Sequence, residues 1–111
     1  MTTYRVTLSL SVQQTISDYQ DYVAVRSGSL STADDWSDSI IARLQSLETV
    51  PDRFPVATEY GSLTYEARQM ILGRYIATYT ILPDVGEVRV IGFRHAAKLP
   101  RVGDLPDDPA G

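Results

Sequence analysis

The sequence predicts a single α+β domain in which a strand and a two-helix antiparallel hairpin pack on one face of a small, mainly antiparallel four-stranded sheet. Three observations support this fold class. Residues 4–10 alternate between apolar and polar side chains, residues 11–50 place apolar side chains at helical spacing, and residues 64–93 return to strand-like patterns. Helices followed by a run of strands are typical of layered α+β domains.

The first strand is expected from Tyr4 to Leu10, where apolar residues occupy every second position. Ser11, with Gln14 three residues later, has the form of a capping box and predicts that the first helix begins there. This helix is expected to end near Arg26. Its apolar face is expected to carry Val12, Ile16, Tyr19 and Val23.

A second helix is expected after the short segment SGSLS, with Ser31 or Thr32 as its N-terminal cap. Pro51 is expected to end it, because proline cannot donate to the helical hydrogen-bond ladder. The short connection between the two helices predicts an antiparallel hairpin. The apolar stripe of the second helix is expected to comprise Trp36, Ile40, Leu44 and Leu47.

Three segments in the second half have the length and composition of strands: TYEARQMIL (64–72), YIATYTIL (75–82) and EVRVIGF (87–93). Short connections at Gly73-Arg74 and at PDVG predict an antiparallel meander. One helical hairpin can cover only one face of the resulting sheet. The other face is therefore expected to be partly open, as a functional surface or a docking site for another chain.

The domain is expected to span residues 1–100. Residues 101–111 are rich in Pro, Gly and Asp, and this composition buries too little apolar area to offset the entropy of ordering. A disordered tail is therefore expected after the domain.

Composition excludes several classes of site. The 111 residues include no cysteine and one histidine, so the sequence offers no disulfide framework, thiolate metal site or histidine-rich zinc site. The aspartates of the two helices match no calcium loop. We expect no metal and no cofactor. The alternating first residues resemble neither a signal peptide nor a membrane span, so a cytoplasmic location without membrane association is expected.

The net charge of −4 argues against non-specific nucleic-acid binding, and we expect no direct sequence-specific binding of DNA. The positive charge is concentrated in the second half, where residues 51–101 carry seven cations against five anions. Nine of the ten cations are arginine, which suits bidentate contacts with carboxylates or phosphates. Codon usage in a GC-rich genome is the alternative explanation for the arginines.

Three segments, LETVPDRFPVATE, EARQMILGRYIATYTI and VRVIGFRHAAK, resemble the recurring blocks of ParE/RelE-type toxins, particularly those of the ParE side. The resemblance extends over nearly the whole chain to about Leu99. It implies a helical hairpin against a twisted antiparallel sheet. It also implies a toxin of a type II toxin-antitoxin system, neutralised by a cognate protein antitoxin that lays a helix, and possibly an added strand, along the open sheet face and the helical hairpin.

The resemblance also bears on the target, because RelE-like members cleave messenger RNA in the ribosome whereas ParE-like members act on DNA gyrase. RNA-cleaving members usually carry an arginine after the Gly-Tyr of the third strand, but Ile76 follows Tyr75 here. The ending FRHAAK is similar to that of ParE-like members. The resemblance therefore implies a gyrase inhibitor that is not an enzyme.

Two alternatives remain open. A metal-independent, ribosome-dependent endoribonuclease would use His95 as acid or base, with Arg94, Lys98 and Arg74 stabilising the charged transition state. A remnant that binds an antitoxin without toxicity is the second alternative. The residues expected to contact a target or an antitoxin are Arg68, Arg74, Arg89, Arg94, His95, Lys98, Tyr60 and Tyr65.

Structural roles are the competing interpretation of the same residues. His95 is alternatively a cap of the sheet that is hydrogen-bonded to a backbone carbonyl or to a neighbouring carboxylate such as Glu59 or Glu66, and several of the arginines are alternatively solvated. The remaining large rings are expected to supply core packing: Tyr19, Tyr22, Trp36, Tyr75 and Tyr79.

Overall fold

The computed structural model describes residues 3–60 and 63–109, without the side chain of Val102. Its elements are β1 (Arg5–Leu8), α1 (Leu10–Ser27), α2 (Leu30–Gln45), β2 (Arg68–Leu72), β3 (Tyr75–Leu82) and β4 (Glu87–His95). The four strands form one sheet in the order β1-β4-β3-β2. β2, β3 and β4 are antiparallel neighbours, whereas β1 runs parallel to β4. The expected α+β class, with two helices and a four-stranded sheet, is confirmed.

The boundary between β1 and α1 lies earlier than the sequence pattern predicts. Ser9, and not Ser11, caps α1: its backbone is extended, and its hydroxyl accepts a hydrogen bond from the Val12 N–H at 3.2 Å. Leu10, which was expected in the strand, opens the helix and is exposed. Both serines have suitable spacing for a cap. Ser9 is favoured because its own N–H still bonds to Val90 of the sheet, so that the helix begins where strand pairing ends.

The connection between the helices is one glycine and one serine. Gly28 has a φ of 68°, a left-handed conformation that ends α1. The next residue, Ser29, caps α2 by accepting from the Thr32 N–H at 3.2 Å, so the expected caps Ser31 and Thr32 lie inside the helix. Gln45 is the last residue of α2, which therefore ends before Pro51.

Strand boundaries follow the predicted order, with differences at two ends. β3 spans Tyr75–Leu82 as predicted. β2 begins only at Arg68, because the preceding residues leave β3 and the Ala67 carbonyl accepts instead from the Ala57 N–H at 2.8 Å. β4 continues two residues beyond the expected Phe93, to His95.

The pairing of β3 with β4 contains a β-bulge. Tyr79 faces Val90 across the pair, whereas Thr78 faces Gly92, so Ile91 is an additional residue on β4. A bulge shifts the alternation of side chains by one position. Arg89 and the later arginine of β4 therefore lie on the same face of the sheet despite their odd spacing.

The helices cover one face of the sheet, which we call the helix face. Burial of aliphatic and aromatic side chains there stabilises the fold by about 1.5–3 kcal/mol per side chain. Trp36 and Tyr19, two of the predicted core rings, are partly buried at its margin. The buried residues are Val12, Ile16, Ile40, Leu44, Leu47, Met70, Leu72, Ala77, Tyr79, Val88, Val90 and Phe93.

The opposite face, which we call the far face, is not open at its centre. A second apolar cluster covers it, in which Ala57, Tyr60 and Leu105 pack on Ile91. The expectation of a partly open sheet face is therefore wrong for this region, because the loop after α2 and the residues after β4 both return across the sheet. At the β2 edge the face remains accessible, with Ile71 61% exposed.

The described residues after residue 100, where a disordered tail is expected, include local structure. Residues Val102–Asp104 form a turn of 3-10 helix, and Leu105 is only 6% exposed. The segment is polar on average, but its Leu105 packs against Ala57, Tyr60 and Ile91. Residues 110 and 111 lie outside the described residues.

The loop after α2 is fastened by two side chains. Arg53 donates to the Thr49 and Val50 carbonyls, the second at 3.1 Å, and Val50 holds a left-handed backbone with a φ of 45°. Tyr79 reaches from the core to donate to the Pro51 carbonyl. Burial raises the pKa of the Tyr79 hydroxyl to about 12, so the donor stays protonated.

Replacing Tyr79 with phenylalanine is expected to lower the free energy of unfolding by about 1–3 kcal/mol, because the Pro51 carbonyl then loses its partner inside the protein. Urea unfolding followed by circular dichroism measures the change. Tyr4→Phe is the matched control, since the Tyr4 hydroxyl makes no hydrogen bond within the described part of the chain. An equal effect of both substitutions would contradict this role of the hydroxyl.

Thr7→Val is expected to destabilise the protein by about 1 kcal/mol at neutral pH. The Thr7 hydroxyl donates to Glu87 Oε1 at 2.5 Å, and this bond lowers the pKa of Glu87 from its ordinary 4.5 against the opposing effect of burial. A carboxyl with a lowered pKa stabilises the fold above its unfolded pKa, and this contribution is lost as the pH falls through the folded pKa.

The difference in unfolding free energy between wild type and Thr7→Val should therefore shrink as the pH falls below about 4.5. Urea unfolding across that range measures it, and Glu87→Gln serves as a control that removes the titration itself. A difference that did not change with pH would refute the assignment to Glu87.

Candidate functional site

A concave pocket of about 510 Å³ lies at the end of the sheet where β3 begins and β4 ends, beside the C-terminal half of α1. We call it the α1–β4 pocket. Its volume is within the range of small-ligand and side-chain binding sites. The residues that line it are Tyr19, Tyr22, Val23, Arg26, Ser27, Arg74, Tyr75, His95 and Lys98.

Local structure explains why these side chains meet. Residues three and four apart on a helix share a face, which aligns Tyr19, Tyr22 and Arg26 on α1. Across the sheet, Tyr75 of β3 is the direct partner of His95 on β4. The tight turn before β3, with Gly73 at a φ of 64°, places Arg74 next to them.

Tyr75 is the centre of the aromatic wall. Its ring lies 5.0 Å from Tyr19 and 5.3 Å from His95 in edge-to-face contacts, and it stacks on Phe93 at 5.4 Å. Trp36 approaches it from α2 at 5.2 Å. Burial raises the pKa of the Tyr75 hydroxyl, so this group is a neutral donor at the pocket wall.

The orientation of His95 is fixed by two hydrogen bonds. Its backbone N–H donates to the Tyr19 hydroxyl at 3.1 Å, and its Nδ1 accepts from the Ala97 N–H at 3.0 Å. In the neutral ring the proton therefore resides on Nε2. The expected partners are wrong, because Glu59 bonds to Arg94 and Glu66 bonds to Arg68.

The pocket carries positive charge, and no carboxylate of the described residues lines it. Within the described residues, ion pairs join Arg68 to Glu66, Arg89 to Glu87 and Arg94 to Glu59. The cations of the pocket take part in none of these: they are Arg26, Arg74 and Lys98. In a chain of net charge −4, these three side chains form a local concentration of positive charge.

Of the predicted site residues, the structure brings Arg74, His95 and Lys98 together in the pocket. Arg94 lies on the far face, where it donates to the Lys98 carbonyl at 2.8 Å and to Glu59. Burial lowers the pKa of Arg94, but its bonds to Glu59 and Tyr60 outweigh that effect, and the net pKa is raised.

Two of the predicted strand arginines, Arg89 and Arg94, share the far face. Arg68 extends toward the loop after α2 and donates to the Phe54 carbonyl at 2.7 Å. Arg89 lies on the far face, pairs with Glu87 and donates to the Pro109 carbonyl at 3.0 Å. These guanidinium groups make contacts within the chain.

The two loop tyrosines that were expected to meet a partner contact the chain itself. Tyr60 is 3% exposed within the far-face cluster. The Tyr65 hydroxyl donates to the Pro106 carbonyl at 2.7 Å. Both contribute to binding the segment after β4.

Sequence reasoning predicted Arg74, His95 and Lys98 as site residues but missed the side of the pocket that α1 forms. Tyr22 was assigned to the core but is 55% exposed, and Arg26 was treated only as the end of a helix. The signal was their spacing of four residues on one helix face, and the Arg26 guanidinium lies 3.4 Å from the Tyr22 hydroxyl.

The arrangement suits recognition better than proton transfer. His95 is the single histidine of the chain, and its Nδ1 is already occupied. Three cations and an aromatic wall can bind an acidic group beside an apolar one. Among the described residues, no cluster of three or more metal-ligating side chains occurs.

Within residues 3–60 and 63–109, neither helix combines the length and the hydropathy needed to cross a membrane. Comparison of the sequence with models of known protein families gives no match, and comparison with curated proteins gives none either.

Proposed function

We propose that this chain is the toxin of a type II toxin-antitoxin system, with a ParE/RelE-type fold, and that it inhibits growth by binding DNA gyrase in the cytoplasm. A cognate protein antitoxin neutralises it. The three sequence segments that resemble such toxins occupy the loop after α2, the β2–β3 hairpin and β4 with its extension. The helical hairpin on one sheet face agrees with the fold that this resemblance implies.

The observation that carries the proposal is the cation-lined α1–β4 pocket in an acidic chain. Arg26, Arg74 and Lys98 offer charge-assisted hydrogen bonds to acidic side chains of a partner. Tyr22 and Val25, three residues apart on α1 and 55% and 84% exposed, add an apolar contact beside them. An acidic amphipathic helix matches this combination of groups.

We favour gyrase over messenger RNA as the target because the site lacks groups that RNA cleavage requires. RNA hydrolysis without a metal needs an acid, a base and cations around the scissile phosphate. Ile76 stands where the RNA-cleaving members carry arginine, and the Arg94 guanidinium is already engaged with Glu59. We therefore propose a binding mode of inhibition rather than an enzymatic one.

Induced expression of the chain is expected to arrest growth, and co-expression of the product of its neighbouring gene is expected to restore it. The purified protein is expected to inhibit supercoiling by gyrase and to leave messenger RNA intact in a ribosomal translation assay. The proposal would be refuted if induction left growth unimpaired and the two gene products formed no complex.

The pocket residues are tested by replacing Arg74 and Lys98 with glutamine, singly and together. Each charge-assisted hydrogen bond is worth about 1.5–3 kcal/mol, so each substitution should weaken antitoxin binding about tenfold or more. Calorimetry measures the affinity. Arg5→Gln is the matched control, because Arg5 is exposed at the opposite end of the sheet and loses the same charge.

Two outcomes would redirect the assignment. Cleavage of ribosome-bound messenger that disappears in His95→Ala would favour the endoribonuclease. A tight complex with the neighbouring product, without a growth defect or gyrase inhibition, would instead identify a non-toxic remnant.

A further inference from the structure

The segment after β4 crosses the far face of the sheet as a bound peptide would. Leu105, 6% exposed, inserts its side chain between Ala57, Tyr60 and Ile91. It is the only residue of the described tail that is buried. The segment from Asp104 to Pro109 is thus anchored by one apolar side chain.

Gly92 forms the floor of the slot that receives this leucine. A Cβ at position 92 would lie 2.7 Å from Leu105 Cδ2 and 3.4 Å from Thr78 Cβ. A contact under 3 Å is too close for carbon atoms, so the leucine fits because position 92 has no side chain. The β-bulge, which places Gly92 opposite Thr78, contributes to the shape of the slot.

The backbone of the tail is recognised through its carbonyl groups. The Tyr65 hydroxyl donates to the Pro106 carbonyl at 2.7 Å, and the Arg89 guanidinium donates to the Pro109 carbonyl at 3.0 Å. Proline has no N–H, so neither of these positions leaves a donor unsatisfied on the sheet. Two side chains thereby bind a segment of bends and turns without adding it to the sheet as a strand.

The tail carries Asp104, Asp107 and Asp108 within five residues. Arg89, which is paired with Glu87, contacts the tail through a backbone carbonyl. Asp107 is close enough to Tyr65 to add to the effect of burial in raising the pKa of that hydroxyl, which keeps the hydroxyl protonated as a donor.

We propose that the far face is a peptide-binding groove for segments of the form Asp-Leu-Pro-Asp, occupied in the free protein by residues 104–109 of the same chain. The partner is a protein segment with a leucine followed by proline, and it binds by displacing the tail. This inference rests on the groove alone, and not on the toxin assignment or on the α1–β4 pocket.

The tail is covalently attached next to the groove, and this attachment determines how tightly a partner must bind to displace it. A segment joined to β4 by fewer than ten residues competes at an effective concentration on the order of millimolar. An untethered peptide of the same sequence therefore has to exceed that concentration. A variant with a weakened tail opens the groove to the peptide at far lower concentration.

The test uses the full-length protein and a fluorescent peptide with the sequence of residues 101–109. Leu105→Ala in the protein removes the anchor of its own tail and leaves the slot intact. Anisotropy titration should show that this variant binds the peptide at least about tenfold more tightly than wild type does. A peptide with alanine in place of its leucine is the ligand control and should not bind either protein.

Gly92→Ala combined with Leu105→Ala is the matched control for the slot, since a methyl group at position 92 enters the space of the leucine. This double variant should lose the gain in peptide affinity. Tyr65→Phe combined with Leu105→Ala should lower the affinity for the peptide, because it removes the donor to the peptide's proline carbonyl.

A nuclear magnetic resonance titration of the wild type with the peptide at millimolar concentration covers the case in which Leu105→Ala does not fold. Amide shifts at Ile91 and Gly92, with tail resonances moving to their free positions, are expected. Equal binding of the leucine and alanine peptides would overturn the proposal, and so would an unchanged spectrum at saturating peptide. Neither result bears on the predictions of growth arrest and gyrase inhibition, which are tested separately.

Discussion

β1 lies beside β4 and runs parallel to it, and eighty residues separate Thr7 from its hydrogen-bond partner Glu87. A parallel neighbour requires a crossover connection, which here contains the helical hairpin followed by β2 and β3. α1 therefore begins at the end of β1 and passes over β4, so that its C-terminal half reaches the end of the sheet. The position of the α1–β4 pocket follows from this one pairing.

Charge is divided between contacts that complete the fold and a pocket that no carboxylate of the described residues lines. Three of the arginines pair with carboxylates of their own chain, which leaves little of their charge for a partner. At the pocket, positive side chains stand instead beside aromatic rings. A protein of negative net charge can in this way repel anions over most of its surface and attract them at one place.

Regular periodicity predicted the elements well. β3 was found at its expected residues, and both helices and the meander are present, because their patterns match the periods of a helix and a strand. The face of each strand arginine could not be predicted. In a regular strand Arg89 and Arg94 would point to opposite sides, and only the extra residue Ile91 returns them to one side.

Long-range contacts explain the remaining errors. The sequence around Leu105 is polar, and the slot that accepts it depends on Gly92 and on a loop more than thirty residues earlier in the chain. Tyr60 and Tyr65 have the composition of exposed loop residues and are instead covered by that same segment. Tyr22 lies next to residues of the apolar face of α1, and a shift of one helical position determines whether its ring enters the core.

The pairing of the first strand with the last has a consequence for synthesis of the chain. While the ribosome is still translating the codons before residue 87, the only adjacent strand for β1 does not exist, and the helical hairpin has no complete sheet to cover. Closing so long a loop must await synthesis of β4. A product that terminated before residue 87 would thus lack the strand that contributes to both the α1–β4 pocket and the apolar cluster of the far face.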